Sequence, residues 1–265
     1  MKISSHPGFG VEIRDVDVRS LTDDECGQIR TAFSEHGLIF LRDQDLSPEE
    51  HIVFAERFGS ININRFFAAH PSFPQVALVT KEPDQQVNIG AIWHTDHSYD
   101  TEPALGSILL AKEVPPQGGD TRFASMYRAY DRLSDGLKET IHSLSAVHSA
   151  RHVFGSGAAD VLTDPVHPMV ITHPLSGKHA LYVNPQFTLR IDGWSAEESA
   201  PLLNLLYETA LVEEDLCQFH WEPGSIAFWD NRATWHSANN DYHGHRREMH
   251  RITLDGCPLT AAAVE

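Results

Sequence analysis

Cysteine is scarce in this 265-residue chain, which contains only three, Cys26, Cys217 and Cys257. Their odd number and wide spacing argue against a disulfide framework and against a thiolate zinc site. We therefore interpret all three as buried or incidental thiols.

Basic residues are also few. The chain has 20 Lys and Arg against 37 Asp and Glu, which gives a formal net charge of -17. Neutralising a phosphate backbone requires clustered cations, so nucleic acid is excluded as an expected partner. A small anion can bind such a protein only where cations are gathered locally, and HRREMHR at 245–251 is such a place.

Long apolar runs are missing, since none approaches the ~18 residues that span a bilayer, and no membrane contact is expected. The first 18 residues, MKISSHPGFGVEIRDVDV, lack the apolar core and cleavage site of a signal peptide, which predicts a cytoplasmic protein. Repeats, low-complexity tracts and linker-like segments are also missing. Residues 1–265 are therefore expected to form a single domain.

Three capping boxes predict helix starts, because an N-cap hydroxyl and a glutamate three residues later satisfy each other's backbone amides. They are Thr22 with Glu25, Ser47 with Glu50, and Ser195 with Glu198. Elsewhere, short apolar runs bounded by turn residues predict strands. These runs are GLIFLR, QVALVT, GSILLAKEV, PMVITHP, HALYVNP, GSIAFWD and HRITLDG. The pattern predicts a mostly β fold with flanking helices, either a sandwich or a barrel.

The segment IWHTDHSYD at 92–100 places two imidazoles and a carboxylate within four positions. If residues 91–96 are extended, His94 and Asp96 project from one face of a strand and His97 from the other. Two His and one carboxylate on one face of an octahedron are used by non-haem Fe(II) oxygenases. Because the chain has 17 histidines, this pair alone favours a polar or hydrogen-bonding role.

A second segment, GSIAFWDNRATWHSA at 224–238, supplies the candidate third ligand, His236. Arg247 follows eleven residues later and Arg251 four residues after that. A metal ligand followed by cations favours an anionic chelating cosubstrate, since a buried carboxylate needs a paired donor, best a guanidinium.

Together, WHTDHSY, PPQGGDTRFASM and WDNRATWHSANNDYHGHRREMHRITLDG strongly resemble the taurine dioxygenase (TauD/TfdA) family, which includes aryloxyalkanoate and alkylsulfate dioxygenases. The resemblance covers nearly the whole chain. It implies a double-stranded β-helix, or jelly roll, and a homodimer or homotetramer. It also implies an Fe(II) cofactor with 2-oxoglutarate and O2 as cosubstrates, and hydroxylation of an unactivated carbon with release of succinate and CO2.

Carried over residue by residue, the resemblance makes His94, Asp96 and His236 the iron ligands. It places Thr121 and Arg247 on the distal carboxylate of 2-oxoglutarate. Asp96 also favours hydroxylation, because halogenating relatives replace this carboxylate with a small residue.

Arg251 matches the family's second arginine, which implies an anionic substrate, a carboxylate, sulfate or sulfonate; the alternative is a surface salt bridge. Two departures argue against taurine. Asn64 stands where the taurine enzyme has a His on the sulfonate, and Gly90 where it has an Asn on the amine. An ammonium group would be poorly paired there. We expect aryloxyalkanoates first and alkyl sulfates or sulfonates second, with hydroxylation beside the linking oxygen and collapse of the resulting hemiacetal.

The remaining candidates concern the substrate pocket. Phe154 and Phe187, with NRFFAAHP at 64–71, are expected to line it, the alternative being plain core. His97 is expected to contact substrate through its backbone amide, with its side chain behind the metal ligands. The polar segment KEPDQQVNIGAI at 81–92 is well placed to close over a substrate.

Two other function classes stay open. A zinc-dependent hydrolase could use the same three ligands with a bound water, but it has no need of Thr121, Arg247 and Arg251. A non-catalytic jelly-roll binding module predicts at least one broken ligand position, and none is broken in this sequence.

Overall fold

Three helices begin where the sequence predicts them. Thr22, Ser47 and Ser195 each accept a hydrogen bond from the amide three residues on, and the glutamate there accepts one from the N-cap amide. The computed structural model describes residues 1–154 and 163–263. Its helices are α1 (Asp23–His36), α2 (Pro48–Glu56), α3 (Met126–Asp131), α4 (Asp135–His142), α5 (Arg151–Phe154) and α6 (Ala196–Ala210). The sequence did not predict α3, α4 or α5, which are short and have no complete capping box. No helix within the described ranges is long and apolar enough to cross a membrane.

The strands coincide with the predicted apolar runs and add several shorter pairs. They are β1 (Lys2–Ser5), β2 (Val11–Arg14), β3 (Leu38–Leu41), β4 (Ile61–Asn62), β5 (Ala68–His70), β6 (Phe73–Lys81), β7 (Gly106–Glu113), β8 (Thr121–Ser125), β9 (Ser145–His148), β10 (Val166–Pro168), β11 (Val170–Thr172), β12 (His179–Leu181), β13 (Thr188–Ile191), β14 (Leu216–Phe219), β15 (Ile226–Asp230), β16 (Thr234–Ala238) and β17 (Arg247–Leu254).

Two sheets build the part of the fold that carries the site. Over the described residues the main sheet has the order β1-β2-β3-β15-β7-β17-β6-β5, with β4 also paired to β17. A smaller sheet has the order β14-β8-β16. Nearly all pairs are antiparallel, β2 with β3 being parallel. The predicted jelly roll with flanking helices is confirmed.

Alternating side chains explain why the central strands read as continuous apolar runs. In β15, Ile226 and Phe228 pack with α1 and α2, whereas Ala227 and Trp229 pack with residues of the smaller sheet. A strand covered on both faces needs apolar residues at every position. The face of the main sheet that meets the smaller sheet is therefore the interior of the sandwich.

The three cysteines are free thiols. Cys26 and Cys217 are buried within core clusters and Cys257 is exposed. This confirms their interpretation as buried or incidental residues rather than a disulfide framework.

A buried ionic network holds the turn that carries the chain from β15 in the main sheet to β16 in the smaller one. Asp230 accepts hydrogen bonds from Arg232 Nε at 2.8 Å and Nη2 at 2.6 Å, and its Oδ2 lies 2.9 Å from His173 Nε2. Burial alone would raise the pKa of Asp230, but Arg232 and His173 outweigh it and hold that pKa below its usual range. The network therefore orders the backbone six residues before His236.

Replacing Asp230 with asparagine should lower the free energy of unfolding by about 3–5 kcal/mol, because Arg232 would stay buried without its carboxylate. Because the folded pKa of Asp230 is depressed, its ionic contribution is present above pH ~4 and is lost as pH falls further. Urea unfolding at pH 7 measures the loss. Asp215→Asn is the control, because Asp215 pairs with Arg128 and Arg132 and is more exposed than Asp230. This variant should change the free energy of unfolding by at most about 1 kcal/mol. Equal losses in both variants would contradict the interpretation.

Candidate metal centre and substrate cavity

Backbone pairing brings the two distant histidines together. His94 and His236 form an isolated antiparallel bridge, with the His94 amide donating to His236 O at 3.1 Å and the His236 amide to His94 O at 2.8 Å. Residues directly opposite in such a pair project to the same side. Their ring centroids consequently lie 4.1 Å apart.

Asp96 lies two residues beyond this bridge, at the start of a turn. An extended segment over 91–96 was the condition for His94 and Asp96 to share one face, and it is met only in part: His94 makes a bridge, and residues 96–99 form a turn. His97 within this turn has a φ of 59°, in the left-handed region that side chains rarely adopt. The turn sends the chain away from β16 immediately after the carboxylate has been placed.

The two oxygens of Asp96 have different surroundings. Oδ2 accepts hydrogen bonds from Ser107 Oγ at 3.0 Å and Trp229 Nε1 at 3.3 Å, and lies 2.8 Å from Arg251 Nη2. Oδ1 lies 3.6 Å from His94 Nε2. With Oδ2 occupied by three donors, Oδ1 is the oxygen free to bind a metal ion.

The protonation states suit metal binding. His94 Nδ1 lies 2.7 Å from the carbonyl oxygen of Ile92, which can only accept, so Nδ1 carries the proton and Nε2 presents its lone pair. Burial and the neighbouring His94 hold the pKa of His236 well below its usual range. Burial would raise the pKa of Asp96, but Arg251, His236 and His94 outweigh it and keep the carboxyl ionised.

The donor set fits one divalent cation. His94, Asp96 and His236 are buried, and each offers a ligand atom within 4.8 Å of the others. Atoms bound ~2.1 Å from one ion lie at most ~4.2 Å apart. The 3.6 Å between His94 Nε2 and Asp96 Oδ1 satisfies this limit, and His236 Nε2 lies 3.8 Å from the other oxygen of the same carboxylate, Oδ2. Within residues 1–154 and 163–263, no other group of three His, Cys, Asp or Glu side chains meets this criterion.

A candidate anion site lies beside the three candidate ligands. Arg247 is 5% exposed, and among the described residues its Nε and Nη2 have no hydrogen-bond partner. Trp221 packs against this guanidinium and donates from Nε1 to Thr121 Oγ1 at 2.9 Å, which leaves the threonine proton free to donate elsewhere. An unpaired buried cation is unfavourable, so Arg247 and Thr121 are candidates to bind an anion.

All predicted site residues line a single cavity of about 90 Å³ between the two sheets. They are His94, Asp96, His236, Thr121, Arg247, Arg251, Asn64, Gly90, His97, Phe154 and Phe187. Thr121 and His236 come from the smaller sheet, Arg247 and Arg251 from one face of β17 in the main sheet. The sandwich thus contributes to this cavity from both sides.

The polar lining residues differ in what they leave available. Asn64 Oδ1 accepts from the amides of Phe66 and Phe67, so this oxygen is committed to its own loop. Gly90 has a φ of 83°, and a side chain there would contact His94 Cε1 at 3.4 Å. His97 Nδ1 lies 2.9 Å from Asp100 Oδ2, which fixes the orientation of its ring.

Arg251 is not a surface residue. It is 6% exposed, and its Nη2 contacts both Asp96 Oδ2 and Ser107 Oγ. Arg246, in the same HRREMHR segment, differs from Arg251. It is half-buried and pairs with Glu82, Glu113 and Glu248 outside the cavity. Within the HRREMHR segment, Arg247 and Arg251 therefore line the cavity, whereas Arg246 lies outside it.

The 81–92 segment is tied to the end of β16. Asn88 Nδ2 donates to Ala238 O at 3.0 Å, and the Ala238 amide donates to Gly90 O at 2.8 Å. Between these bonds Ile89 lines the cavity while remaining 57% exposed. Closure of this segment over a substrate stays a prediction.

A much larger groove, of about 1180 Å³, lies elsewhere, between the C-terminal end of α1 and helices α3 and α4. Its lining mixes charges of both signs, such as Glu35, Arg128 and Lys138. None of the three metal-ligating candidates lines it. Chemistry and not size therefore identifies the smaller cavity as the candidate active site.

Ser107, Trp221 and Trp229 are residues of the site that sequence reasoning missed. Ser107 and Trp229 are direct cross-strand partners in the main sheet, and both donate to Asp96 Oδ2. In the sequence, Ser107 and Trp229 each occupy one position of a predicted apolar strand. Only the pairing of β7 with β15 places them together beneath the carboxylate.

Comparison with known proteins agrees with this geometry. Residues 3–253 match the model of the family described as "Taurine catabolism dioxygenase TauD, TfdA family". An alkylsulfatase from Acinetobacter baylyi is 34% identical over 96% of this chain and 84% of its own length. The alpha-ketoglutarate-dependent 2,4-dichlorophenoxyacetate dioxygenase of Cupriavidus pinatubonensis is 32% identical over 94% and 95%. A crystal structure of a taurine dioxygenase from Burkholderia xenovorans superposes with a TM-score of 0.83 and 34% identity, covering 96% and 90% of the two chains.

The match covers both segments from which the three ligands come, and the shared fold extends over nearly the entire chain. The family resemblance predicted from the motifs is confirmed, and so is the reaction class. This chain belongs to the TauD/TfdA family of 2-oxoglutarate-dependent dioxygenases.

Proposed function

We propose that this dioxygenase uses Fe(II), 2-oxoglutarate and O2 to hydroxylate a small organic anion bound in the 90 Å³ cavity. One oxygen atom of O2 enters the new C–OH group, and the other enters succinate as CO2 leaves 2-oxoglutarate. The observation that carries the proposal is the buried Arg247 guanidinium, whose Nε and Nη2 have no hydrogen-bond partner among the described residues, in the same cavity as the His94, Asp96 and His236 cluster.

In this proposal His94, Asp96 and His236 hold the iron, and Asp96 binds through Oδ1. When bound, iron supplies the activation of O2 that this chemistry requires. Thr121 and Arg247 donate hydrogen bonds to the distal carboxylate of 2-oxoglutarate, which fixes the cosubstrate's orientation and satisfies the buried guanidinium. The surrounding sandwich excludes bulk water from the reacting groups.

Arg251 is proposed to bind the substrate's acidic group. Its Nη2 is engaged by Asp96 and Ser107, so the guanidinium plane is held fixed while the rest of it faces the cavity. A fixed guanidinium beside the metal ligands places the carbon next to an acidic group close to the reacting centre. Positioning of this kind can supply a large part of a rate enhancement.

The rest of the cavity favours an apolar body. Phe67, Phe154 and Phe187 line it, and neither Asn64 Oδ1 nor Gly90 offers an acceptor for an amine. We infer a substrate of the aryloxyalkanoate type first, with alkyl sulfates or sulfonates second, and taurine disfavoured. Two of the relatives are named for substrates of these two classes.

The two other function classes explain fewer features of the site. A zinc-dependent hydrolase would use the same three ligands, but Arg247 and Thr121 would then have no ligand to bind. A non-catalytic binding module would have no need for three intact ligands with a prepared carboxylate oxygen on Asp96. The dioxygenase proposal uses every one of these features.

Succinate release tests the proposal directly. Fe(II)-loaded protein with 2-oxoglutarate in air should form succinate in the presence of aryloxyalkanoates, with weaker formation for alkyl sulfates and sulfonates and none above background for taurine. His94→Ala should remove the activity, because two ligands alone hold iron poorly. Taurine as the best substrate would contradict the substrate class, whereas hydrolysis without consumption of 2-oxoglutarate would favour the zinc hydrolase.

A further inference from the structure

An aromatic cluster forms the apolar wall of the candidate active site. Tyr99 contacts Phe187 at 4.8 Å, Phe154 at 5.8 Å and Phe66 at 5.9 Å between ring centroids, all edge-to-face. Phe66 and Phe154 stack face to face at 3.9 Å. Phe187 in turn meets the His94 ring edge-to-face at 5.9 Å. The cluster therefore continues directly from the metal ligands.

Tyr99 brings a polar atom into this cluster. The residue is 4% exposed and lines the same cavity as Asp96 and Arg251. Within the part of the chain that the structure describes, its hydroxyl makes no hydrogen bond, whereas the buried hydroxyl of Tyr127 contacts both Ser34 O and Ser176 Oγ at 3.1 Å. Buried tyrosine hydroxyls usually find a partner, so the Tyr99 hydroxyl is available to a bound molecule.

Charged groups as well as aromatic rings lie near Tyr99. Burial, followed by the carboxylates of Asp100 and Asp96, raises the pKa of Tyr99, while Arg251 opposes them. The phenol thus stays protonated and is a neutral donor. A phenylalanine would satisfy the packing equally well, so the hydroxyl itself calls for an acceptor.

We propose that Tyr99 is a specificity-determining residue whose hydroxyl donates a hydrogen bond to the oxygen that links the substrate's apolar body to its acid-bearing carbon. The inference rests on the proposed function and deepens it by naming the substrate class as oxygen-linked acids. Tyr99 packs against Phe154 and Phe187 and lines the same cavity as Arg251. A substrate with its acidic group on Arg251 and its apolar body among these rings would therefore bring its linking atom near Tyr99.

Oxygen-linked and carbon-linked acids of the same shape should therefore differ in affinity. Phenoxyacetate and 3-phenylpropanoate differ only in an ether oxygen replaced by a methylene group. The methylene would leave the buried hydroxyl without an acceptor, which corresponds to a difference of about 5- to 150-fold in dissociation constant. Tyr99→Phe removes the donor and should bring the two dissociation constants to within about threefold of each other, since neither acid then leaves a buried protein donor unpaired.

The test is calorimetric titration of both acids into the anaerobic Fe(II)–2-oxoglutarate complex of the wild-type protein, Tyr99→Phe and Tyr127→Phe. Tyr127→Phe is the matched control, since it removes a buried hydroxyl far from the cavity and should keep the wild-type ratio. Phenol released per succinate formed, measured in air, provides a second readout, which should fall for phenoxyacetate in Tyr99→Phe alone.

Four results would overturn the inference. Equal affinity of the two acids for the wild-type protein, or unchanged affinities for both acids in Tyr99→Phe, would show that the hydroxyl does not bind the linking oxygen. Equal weakening of both acids in Tyr99→Phe would place the hydroxyl on the acidic group instead. If neither acid binds any of the three proteins while 2-oxoglutarate still does, the proposed substrate class is wrong and the inference fails with it.

Discussion

Replacing His236 with alanine is expected to abolish succinate formation and to weaken Fe(II) binding by far more than 100-fold. Losing a group that merely orients a metal ligand already costs about 10- to 100-fold in affinity, and this change removes one of three ligands. The remaining pair, His94 and Asp96, keeps its own geometry because His94 Nδ1 is held by Ile92 O and Asp96 Oδ2 by three donors. Anaerobic equilibrium dialysis of Fe(II) measures the affinity without relying on turnover.

The matched control for this variant is His245→Ala. His245 is exposed and belongs to the same histidine-rich C-terminal region, so its loss should leave both iron affinity and succinate formation unchanged. Retention of wild-type iron affinity by His236→Ala would contradict the assignment of this ligand. A drop in both variants would indicate general damage and not the loss of a ligand.

Replacing Arg247 with methionine should weaken 2-oxoglutarate binding by about 30- to 3,000-fold, because removing one partner of a buried charge pair costs about 2–5 kcal/mol. Iron affinity should stay close to that of the wild-type protein, since Arg247 contacts none of the three candidate ligands in the structure. The visible charge-transfer absorbance of the anaerobic Fe(II)–2-oxoglutarate complex, titrated with 2-oxoglutarate, measures this affinity.

Arg246→Met is the control beside it in the chain. Arg246 pairs with Glu82, Glu113 and Glu248 outside the cavity, and pairs of that kind contribute little, so affinity for 2-oxoglutarate should change by less than about fivefold. A similar loss in Arg246→Met and Arg247→Met would mean that net charge, and not a specific anion site, governs cosubstrate binding. Arg247→Met with normal affinity would remove the observation on which the proposed function depends.

The two predictions separate the metal from the cosubstrate. His236→Ala should lose iron and therefore also the absorbance that depends on it, whereas Arg247→Met should keep iron and recover the absorbance at high 2-oxoglutarate concentration. The two variants should differ because His236, on the smaller sheet, is a candidate metal ligand. Arg247, on the main sheet, contacts none of the candidate ligands.

Local features were predictable because they depend on residues a few positions apart. The capping boxes at Thr22, Ser47 and Ser195 form between a hydroxyl and an amide three residues later, so no other part of the fold is needed to complete them. Helices α3, α4 and α5 escaped prediction because packing stabilises them without a complete box. The same limit applies to the segment over 91–96, where His94 makes a bridge and a turn begins at Asp96.

The candidate site was predictable to the level of its charged residues. His94, Asp96, His236, Thr121 and Arg247 were nominated by motif resemblance, and all of them line one cavity. Motifs name residue types whose chemistry is difficult to replace. They carry no information about neighbours such as Ser107 and Trp229, which could serve equally well as ordinary strand residues.

The sequence by itself determined the fold class, the three capped helices, the family and the chemical character of the site, since periodicity, capping and ligand motifs are written in local residue order. Only the tertiary structure decided which oxygen of Asp96 is taken by Ser107, Trp229 and Arg251, that Arg251 is buried against that carboxylate, and that the Tyr99 hydroxyl makes no hydrogen bond within residues 1–154 and 163–263. These facts depend on strands distant in sequence: β7 and β15 meet through cross-strand hydrogen bonds, and burial then determines which polar atoms are left for a ligand.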